Sequence, residues 1–190
     1  MNNVSPVDTT IKYGAISGLS AFVFFVILWL MGTNPLGGGW SILGWVIPIV
    51  FTVMTIRDYR NKDLGGYITY GKGFRAGLLM AVFSGFLLSV LIYAFITFIG
   101  KNIIQMQIDD FYTNMEKVRG IISAEYYDML IKNFESTKNY YNPANVAKSS
   151  FIMHFIGGLI VSLIVAGIYT RKAPATDTSD ISDDADSNLN

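Results

Sequence analysis

The side chains able to carry chemistry are few in this 190-residue chain, and they are scattered along it. His154 is the single histidine, and Glu125 and Asp128 are two acids one helical turn apart. Hydrolysis needs a nucleophile beside a base or two facing carboxylates, and a solvated helix face explains Glu125 and Asp128 better. There is no cysteine, which excludes disulfides, thiolate metal sites and cysteine nucleophiles. We therefore expect no catalytic residue, no metal site and no cofactor, in a protein that is not an enzyme.

A glycine-rich segment at residues 65–77 is the densest local pattern, and its Gly71-Lys72-Gly73 core superficially resembles a phosphate loop. The spacing of a Walker A motif is missing, and Gly73 stands where a serine or threonine would bind magnesium. A turn that leads into a membrane helix is the better interpretation, because cationic side chains there meet anionic lipid headgroups. The predicted headgroup contacts are Arg57, Arg60, Lys62, Lys72 and Arg75.

His154 lies in an otherwise apolar stretch, and the sequence leaves its role open. A lone histidine in such a stretch usually hydrogen-bonds a neighbouring helix or a lipid headgroup, and a proton-sensing or ligand-binding role is the alternative. Proton-coupled transporters generally have a carboxylate near the middle of the membrane, but the apolar stretches of this chain contain no Asp or Glu. The sequence therefore disfavours a proton-driven pump.

Four apolar runs without Asp, Glu, Lys or Arg must position these residues, and they decide the broad class. An α-helix rises 1.5 Å per residue, so about 20 apolar residues cross a hydrocarbon core of about 30 Å. Hydrophobic residues make up 52% of the chain and charged residues only 15%. The sequence predicts an all-α polytopic membrane protein whose four transmembrane helices lie at residues 13–31, 40–56, 76–99 and 151–169.

The charges that flank the spans predict their orientation. Lys and Arg concentrate at residues 57–75 and next to the first and last spans, whereas the turn after the first span has no charge. The positive-inside rule then puts both termini and residues 57–75 in the cytoplasm. The predicted organisation is a polar N-terminus at residues 1–10, a membrane domain at 11–172 and a disordered acidic tail at 173–190.

Residues 102–141, between the third and fourth spans, are predicted to form an extramembrane αα-hairpin on the outer side. Apolar residues at alternating spacings of four and three indicate a helix that continues the third span out of the membrane. Ser123 is predicted to begin a second helix, and Asn142 with Pro143 to begin the last one. The two apolar stripes are the candidate surface for docking a partner: Ile104, Ile108, Phe111, Met115, Tyr127, Leu130 and Phe134.

Small residues spaced four apart predict close helix packing inside the bundle, with a homodimer groove as the alternative. In the second span, Pro48 removes one backbone donor, so we expect a kink near the middle of that span. The predicted packing residues are Gly14, Gly18, Gly77, Ala81, Gly85, Ser89, Gly158, Ser162 and Ala166.

With the four spans, the entrance motif at residues 67–77 and the helical insertion, the chain resembles the bacterial domain of unknown function 4199 family. The resemblance covers about residues 7–170, and it is most specific at residues 66–77, where aromatic, glycine and basic residues alternate. It implies a four-helix integral protein of the bacterial inner membrane. The family brings no activity, cofactor or catalytic residue that would transfer to this chain.

Two functional hypotheses follow from the sequence, with a membrane-embedded enzyme as a weaker third. The first is a non-enzymatic scaffold or interaction protein whose outer hairpin docks a protein partner or a second copy. The alternative is a small transporter or permease component built around the Pro48-kinked second span. The formal net charge of zero gives no basic footprint for nucleic acid, so the expected partners are the lipid bilayer and a protein.

Overall fold

The computed structural model describes residues 6–37 and 39–171. The second span is a composite, because the 3₁₀ helix Gly39–Trp45 precedes its α-helix and the π-helical turn Tyr59–Asp63 follows it. The predicted acidic tail at 173–190 lies outside the described residues, as do residues 1–5 of the predicted polar N-terminus at 1–10, whereas its residues 6–10 are already helical. Within the described residues, the α-helices are α1 (Pro6–Leu30), α2 (Val46–Asp58), α3 (Tyr70–Phe98), α4 (Ile103–Val118), α5 (Ala124–Thr137) and α6 (Pro143–Tyr169).

Four helical segments are long and apolar enough to cross a membrane, so the predicted all-α polytopic fold is confirmed. Their outward surfaces carry apolar side chains such as Leu30, Phe98 and Ile168, each more than 70% exposed. Contiguous apolar surface of this kind is unfavourable in water and indicates contact with lipid. The four segments are Val7–Leu30, Gly39–Asp63, Tyr70–Phe98 and Pro143–Tyr169.

The central helix is α3, which packs most extensively against α6 and next against α1. A seam of small residues joins α3 to α6, and its positions repeat every four residues on both helices. A Cβ added to Gly77 would lie 2.7 Å from Ser162 Oγ, and one added to Gly158 would lie 2.3 Å from Ala81 Cβ. Small side chains thus let the two backbones approach closely, as membrane helices commonly require. The facing pairs are Gly73 with Ala166, Gly77 with Ser162, Ala81 with Gly158, and Gly85 with His154.

The other side of α3 receives the glycines of α1. A Cβ added to Gly14 would lie 3.0 Å from the Met80 carbonyl oxygen, and one added to Gly18 would lie 2.9 Å from that of Ser84. The remaining predicted packing residue, Ser89, is buried one turn beyond Gly85 on α3, toward α4. Apart from Ser89, the small residues named from sequence therefore lie at contacts of α3 with α1 or α6.

The second span is not the α-helix with a central proline kink that the sequence predicts. Its α-helical part begins only at Val46, so Pro48 lies in the first turn of α2. The first backbone N–H groups of an α-helix have no intrahelical acceptor, and a proline there removes no hydrogen bond. The irregularity is instead a change from 3₁₀ to α geometry after Trp45.

The predicted continuation of the third span into the hairpin was wrong. Helix α3 ends at Phe98, and the backbone N–H groups of Ile99 and Gly100 both donate to the Phe95 carbonyl at 2.8 Å. After this turn α4 begins with Ile103, which is fully buried in a core cluster with Phe25 and Phe95. An apolar stripe does not distinguish a continuous helix from one that is interrupted by a turn, and burial of Ile103 favours the turn.

The hairpin itself is confirmed, together with both predicted helix starts. Ser123 Oγ accepts a hydrogen bond from the Tyr126 N–H at 3.3 Å and caps α5. Asn142 Oδ1 accepts from the Asn145 N–H at 3.0 Å, with Pro143 at the first position of α6. These caps depend on residues close in sequence, which is why local patterns predict them. We call the end of the bundle that carries α4 and α5 the hairpin end.

The opposite end, called here the basic end, gathers the loop before α3 and the chain after α6. Ile68 and Arg171 exchange two backbone hydrogen bonds, each of 3.0 Å. Tyr13 Oη donates to Asp58 Oδ2 at 2.5 Å, which fixes the start of α1 to the end of α2. Thr9 Oγ1 donates to Asp63 Oδ2 at 3.0 Å and adds a second link between these helices.

Candidate functional site

A cavity of about 1040 Å³ lies at the hairpin end, between helices that are far apart in sequence. Its walls come from α1, from the 3₁₀ segment Gly39–Trp45 and from the first half of α6, with a smaller part from α3. Helix α4, the end of α5 and the linker between α5 and α6 complete the lining. We call this space the hairpin-end cavity.

The two sides of the cavity differ in polarity. Of the described residues that line it, none is Asp, Glu, Lys or Arg. Phe24, Phe25, Leu28, Leu88, Ile92 and Met153 form an apolar wall, mainly from α1 and α3. Most of the polar lining residues come from the end of α5, the linker and the first turns of α6, which also contribute Tyr140, Tyr141 and Val146. These polar residues are called the polar wall, and they include Gln107, Ser136, Asn139, Asn142, Asn145, Ser149 and Ser150.

Among the residues of α6 that line the cavity, His154 lies farthest along the helix from the hairpin, and it is only 7% exposed. Its Nε2 is 3.2 Å from Ser84 Oγ, and Ser84 Oγ donates to Ser17 Oγ at 3.0 Å. The Trp45 ring stacks on the imidazole with an interplanar angle of 19°. A hydrogen bond to a neighbouring helix, one of the two roles considered from sequence, is therefore present.

A buried asparagine ties the turn after α1 to α4 at the edge of the cavity. Asn34 Nδ2 donates to Gln107 Oε1 at 2.8 Å and to Asp110 Oδ2 at 2.7 Å. Its Oδ1 accepts from the Leu36 N–H at 3.0 Å. Sequence reasoning missed this residue, because an asparagine before proline in a glycine-rich run predicts a turn and says nothing about a distant partner.

Most of the seven predicted docking residues pack against other residues of this chain. Ile104 packs against the core cluster that contains Ile103, and the Phe111 ring stacks on Phe134 at 3.6 Å between centroids. Met115 and Phe134 are buried. Ile108, Tyr127 and Leu130 are half-buried. Amphipathic helices bury their apolar faces first against each other, so these stripes form the inside of the hairpin.

The polar side of the hairpin carries a small charged network. Glu135 accepts hydrogen bonds from Lys138 at 2.5 Å and from the Tyr112 hydroxyl. The Lys138 ammonium, followed by the Tyr112 hydroxyl, lowers the pKa of Glu135 below its ordinary value of 4.5. The same contact with the carboxylate raises the pKa of Tyr112. The network therefore holds α4 against α5 at neutral pH.

The predicted headgroup contacts lie together at the basic end, away from the cavity. Arg57, Lys62, Lys72 and Arg75 are exposed there, and Arg60 is half-buried with its guanidinium 5.5 Å from the centre of the Tyr169 ring. Among the described residues, no group of three His, Asp or Glu side chains is placed to hold a metal ion.

A comparison with known protein families matches residues 12–171 to the family described as "Protein of unknown function (DUF4199)". No match was found among curated proteins or among solved structures. The matched residues include all the walls of the hairpin-end cavity and the contacts of α3 with α1 and with α6. This multi-pass membrane protein therefore belongs to the DUF4199 family.

Proposed function

We propose that this protein is a non-enzymatic membrane protein that binds a small molecule in the hairpin-end cavity, as the binding component of a small transporter or permease. The observation that carries the proposal is the cavity, with its volume of about 1040 Å³. Ligand pockets commonly have volumes of about 300–1,000 Å³ and combine apolar walls with a few polar groups. The cavity therefore has room for a molecule of drug size or larger.

The irregular start of the second span supports the same proposal. Discontinuous membrane helices are typical of transporter binding sites, because non-α backbone at membrane depth is tolerated where it lines a cavity. The 3₁₀ segment Gly39–Trp45 contributes Ser41, Gly44 and Trp45 to the cavity wall. The sequence suggested that a kink at Pro48 forms the binding segment. The proposal places the binding segment in the 3₁₀ helix instead.

The predicted orientation determines the side of the membrane toward which the cavity opens. If the basic end faces the cytoplasm of a bacterial inner membrane, the cavity opens toward the outside. Toward the basic end, α3 packs closely against α6, and the hydrogen bond from Tyr13 to Asp58 links α1 to α2. A ligand would enter from the outside, and its release on the other side would require the second span to move relative to α1.

The proposal is tested by filling the cavity. Ala21 lines the cavity, so a phenyl ring at this position occupies ligand space. Leu19 is 49% exposed on the lipid-facing side of the same helix, which makes Leu19→Phe the matched control. We expect a small molecule to co-purify with the unaltered chain and with Leu19→Phe. Ala21→Phe should retain about tenfold less of it, corresponding to about 1.4 kcal/mol.

Mass spectrometry of the purified proteins in a mild detergent measures this difference. The same co-purifying molecules in the same amounts in all three chains would contradict the proposal. Thermal unfolding of each variant shows whether a loss of the molecule reflects a loss of the fold.

The second candidate function is the docking of a protein partner, now through a different part of the hairpin. Ile121, Tyr126 and Met129 are 79%, 49% and 46% exposed near the hairpin tip. Exposed apolar groups of this kind are common at protein interfaces. Replacing all three by serine should remove cross-linked partners, whereas Thr113→Ser on the exposed side of α4 should keep them. An unchanged set of partners would exclude this role of the tip.

A further inference from the structure

We infer that the hairpin-end cavity binds a lipid-like amphiphile with an uncharged, hydrogen-bonding head and an apolar tail. This inference rests on the proposed function, because it names the class of molecule that the cavity would bind. It depends on three properties of the walls: their lack of charge, the separation of polar from apolar side chains, and the depth of the space.

The lack of charge disfavours an ionic head against the polar wall. A carboxylate, phosphate or ammonium group transferred from water into such a site is unfavourable unless an opposite charge meets it. The described lining residues supply no Asp, Glu, Lys or Arg for that purpose. Hydroxyl and amide groups of a neutral head, in contrast, exchange hydrogen bonds with water for hydrogen bonds with Ser and Asn side chains.

The polar side chains of the cavity are grouped near the start of α6, where the head of the ligand would bind. Asn142, Asn145 and Ser149 are spaced three and four residues apart, so they share one face of α6. Asn142 and Asn145 already form hydrogen bonds within the chain. Gln107 accepts from Asn34 through Oε1, which leaves the N–H groups of its Nε2 available as donors. The polar wall is therefore both structurally fixed and able to donate to a ligand.

The depth of the cavity fits an apolar tail. The lining residues run from Asn142, the cap of α6, to His154 within it, which corresponds to about 18 Å along the helix axis at 1.5 Å per residue. Along this path the opposite wall presents Phe25, Leu28 and Ile92. A tail whose head lies near Asn142 would therefore extend past these side chains and end near Trp45 and His154.

Trp45 allows a direct test, because its fluorescence is quenched by a bromine atom in van der Waals contact. The chain has three tryptophans, so Trp29→Phe with Trp40→Phe leaves Trp45 as the single reporter. The probes are a monoacylglycerol and a fatty acid with identical brominated chains, each added to nanodiscs of unbrominated phosphatidylcholine at pH 9.5, where the carboxyl group of a membrane-bound fatty acid is ionised. The head is neutral in the first probe and anionic in the second.

We expect the monoacylglycerol to quench Trp45 saturably, and the fatty acid to need an about tenfold higher mole fraction for the same quenching. Ala21→Phe should abolish the saturable quenching, and Leu19→Phe should retain it. A chain with Trp40 as its single tryptophan reports ordinary lipid contact, because Trp40 is 62% exposed. Its quenching should rise in proportion to the mole fraction of either probe.

The outcomes separate the ligand class from the proposed function. If both probes quench Trp45 equally and saturably, or if the fatty acid quenches it more strongly, the inference that the head is uncharged is wrong. The proposal that the cavity binds a ligand then still stands. If quenching of Trp45 rises only in proportion to the mole fraction of the probe, as for Trp40, the cavity does not bind an amphiphile. If a co-purifying molecule nevertheless depends on Ala21, the proposed function survives with another ligand class.

Discussion

Ser84 connects three membrane helices through one hydroxyl group. Its Oγ donates to Ser17 on α1 and lies 3.2 Å from Nε2 of His154 on α6. Hydrogen bonds between membrane helices contribute only about 0.6 kcal/mol on average, with a maximum near 1.7 kcal/mol. Because removal of the Ser84 hydroxyl affects two such contacts and leaves both partners buried, its effect should exceed that average.

We expect Ser84→Ala to lower the free energy of unfolding by about 1–2 kcal/mol. Ser89→Ala is the matched control, since Ser89 lies on the same helix and its Oγ donates to the Phe86 carbonyl of that helix at 2.8 Å. Unfolding in mixed micelles of SDS and a mild detergent measures both values. Equal losses for the two variants would contradict the interhelical role of Ser84.

At the scale of elements, the seam between α3 and α6 is the most constrained contact. A Cβ on Gly158 would lie 2.3 Å from Ala81 Cβ, so Gly158→Ala forces the helices apart and should cost roughly 1–3 kcal/mol of unfolding free energy. Gly167→Ala in the same helix is the control, because its nearest neighbouring atom is 4.0 Å away. That change should be neutral or stabilise the chain by about 0.4–1 kcal/mol.

A compensating variant gives the decisive comparison for this seam. Ala81→Gly removes the methyl group that the new Cβ would meet, so Ala81→Gly with Gly158→Ala should recover most of the loss. The same unfolding measurement in mixed micelles applies to all four chains. If the double variant is as unstable as Gly158→Ala alone, the loss does not come from the contact between these two residues.

The elements also show what the sequence can and cannot predict. The spans, the small-residue faces and the caps at Ser123 and Asn142 follow from composition and local spacing, and each has a local physical cause. The break at Gly100 does not, because the stripe beyond it fits a continuous helix as well as one that is interrupted by a turn and buries Ile103. Which small residue faces which, as Gly77 faces Ser162, depends on tertiary packing.

At the scale of the whole molecule, the two ends of the bundle have different chemistry. The basic end is rich in Lys and Arg, whereas the cavity at the hairpin end has no charged residue among its described lining. The cavity could not be predicted from the sequence, because its walls come from segments as far apart as Ala21 and His154. The sequence does predict which end faces the cytoplasm, and this orientation decides the side from which the cavity is reached.

The chain lacks cysteine, so single introduced cysteines can test its orientation without a background signal. Asn114 is exposed on α4 at the hairpin end, and Asn61 is exposed at the basic end. We expect a membrane-impermeant maleimide to label Asn114→Cys in intact cells, and to label Asn61→Cys only after the cells are permeabilised. The reverse pattern would place the hairpin and the cavity on the cytoplasmic side, and a ligand would then have to reach the cavity from inside the cell.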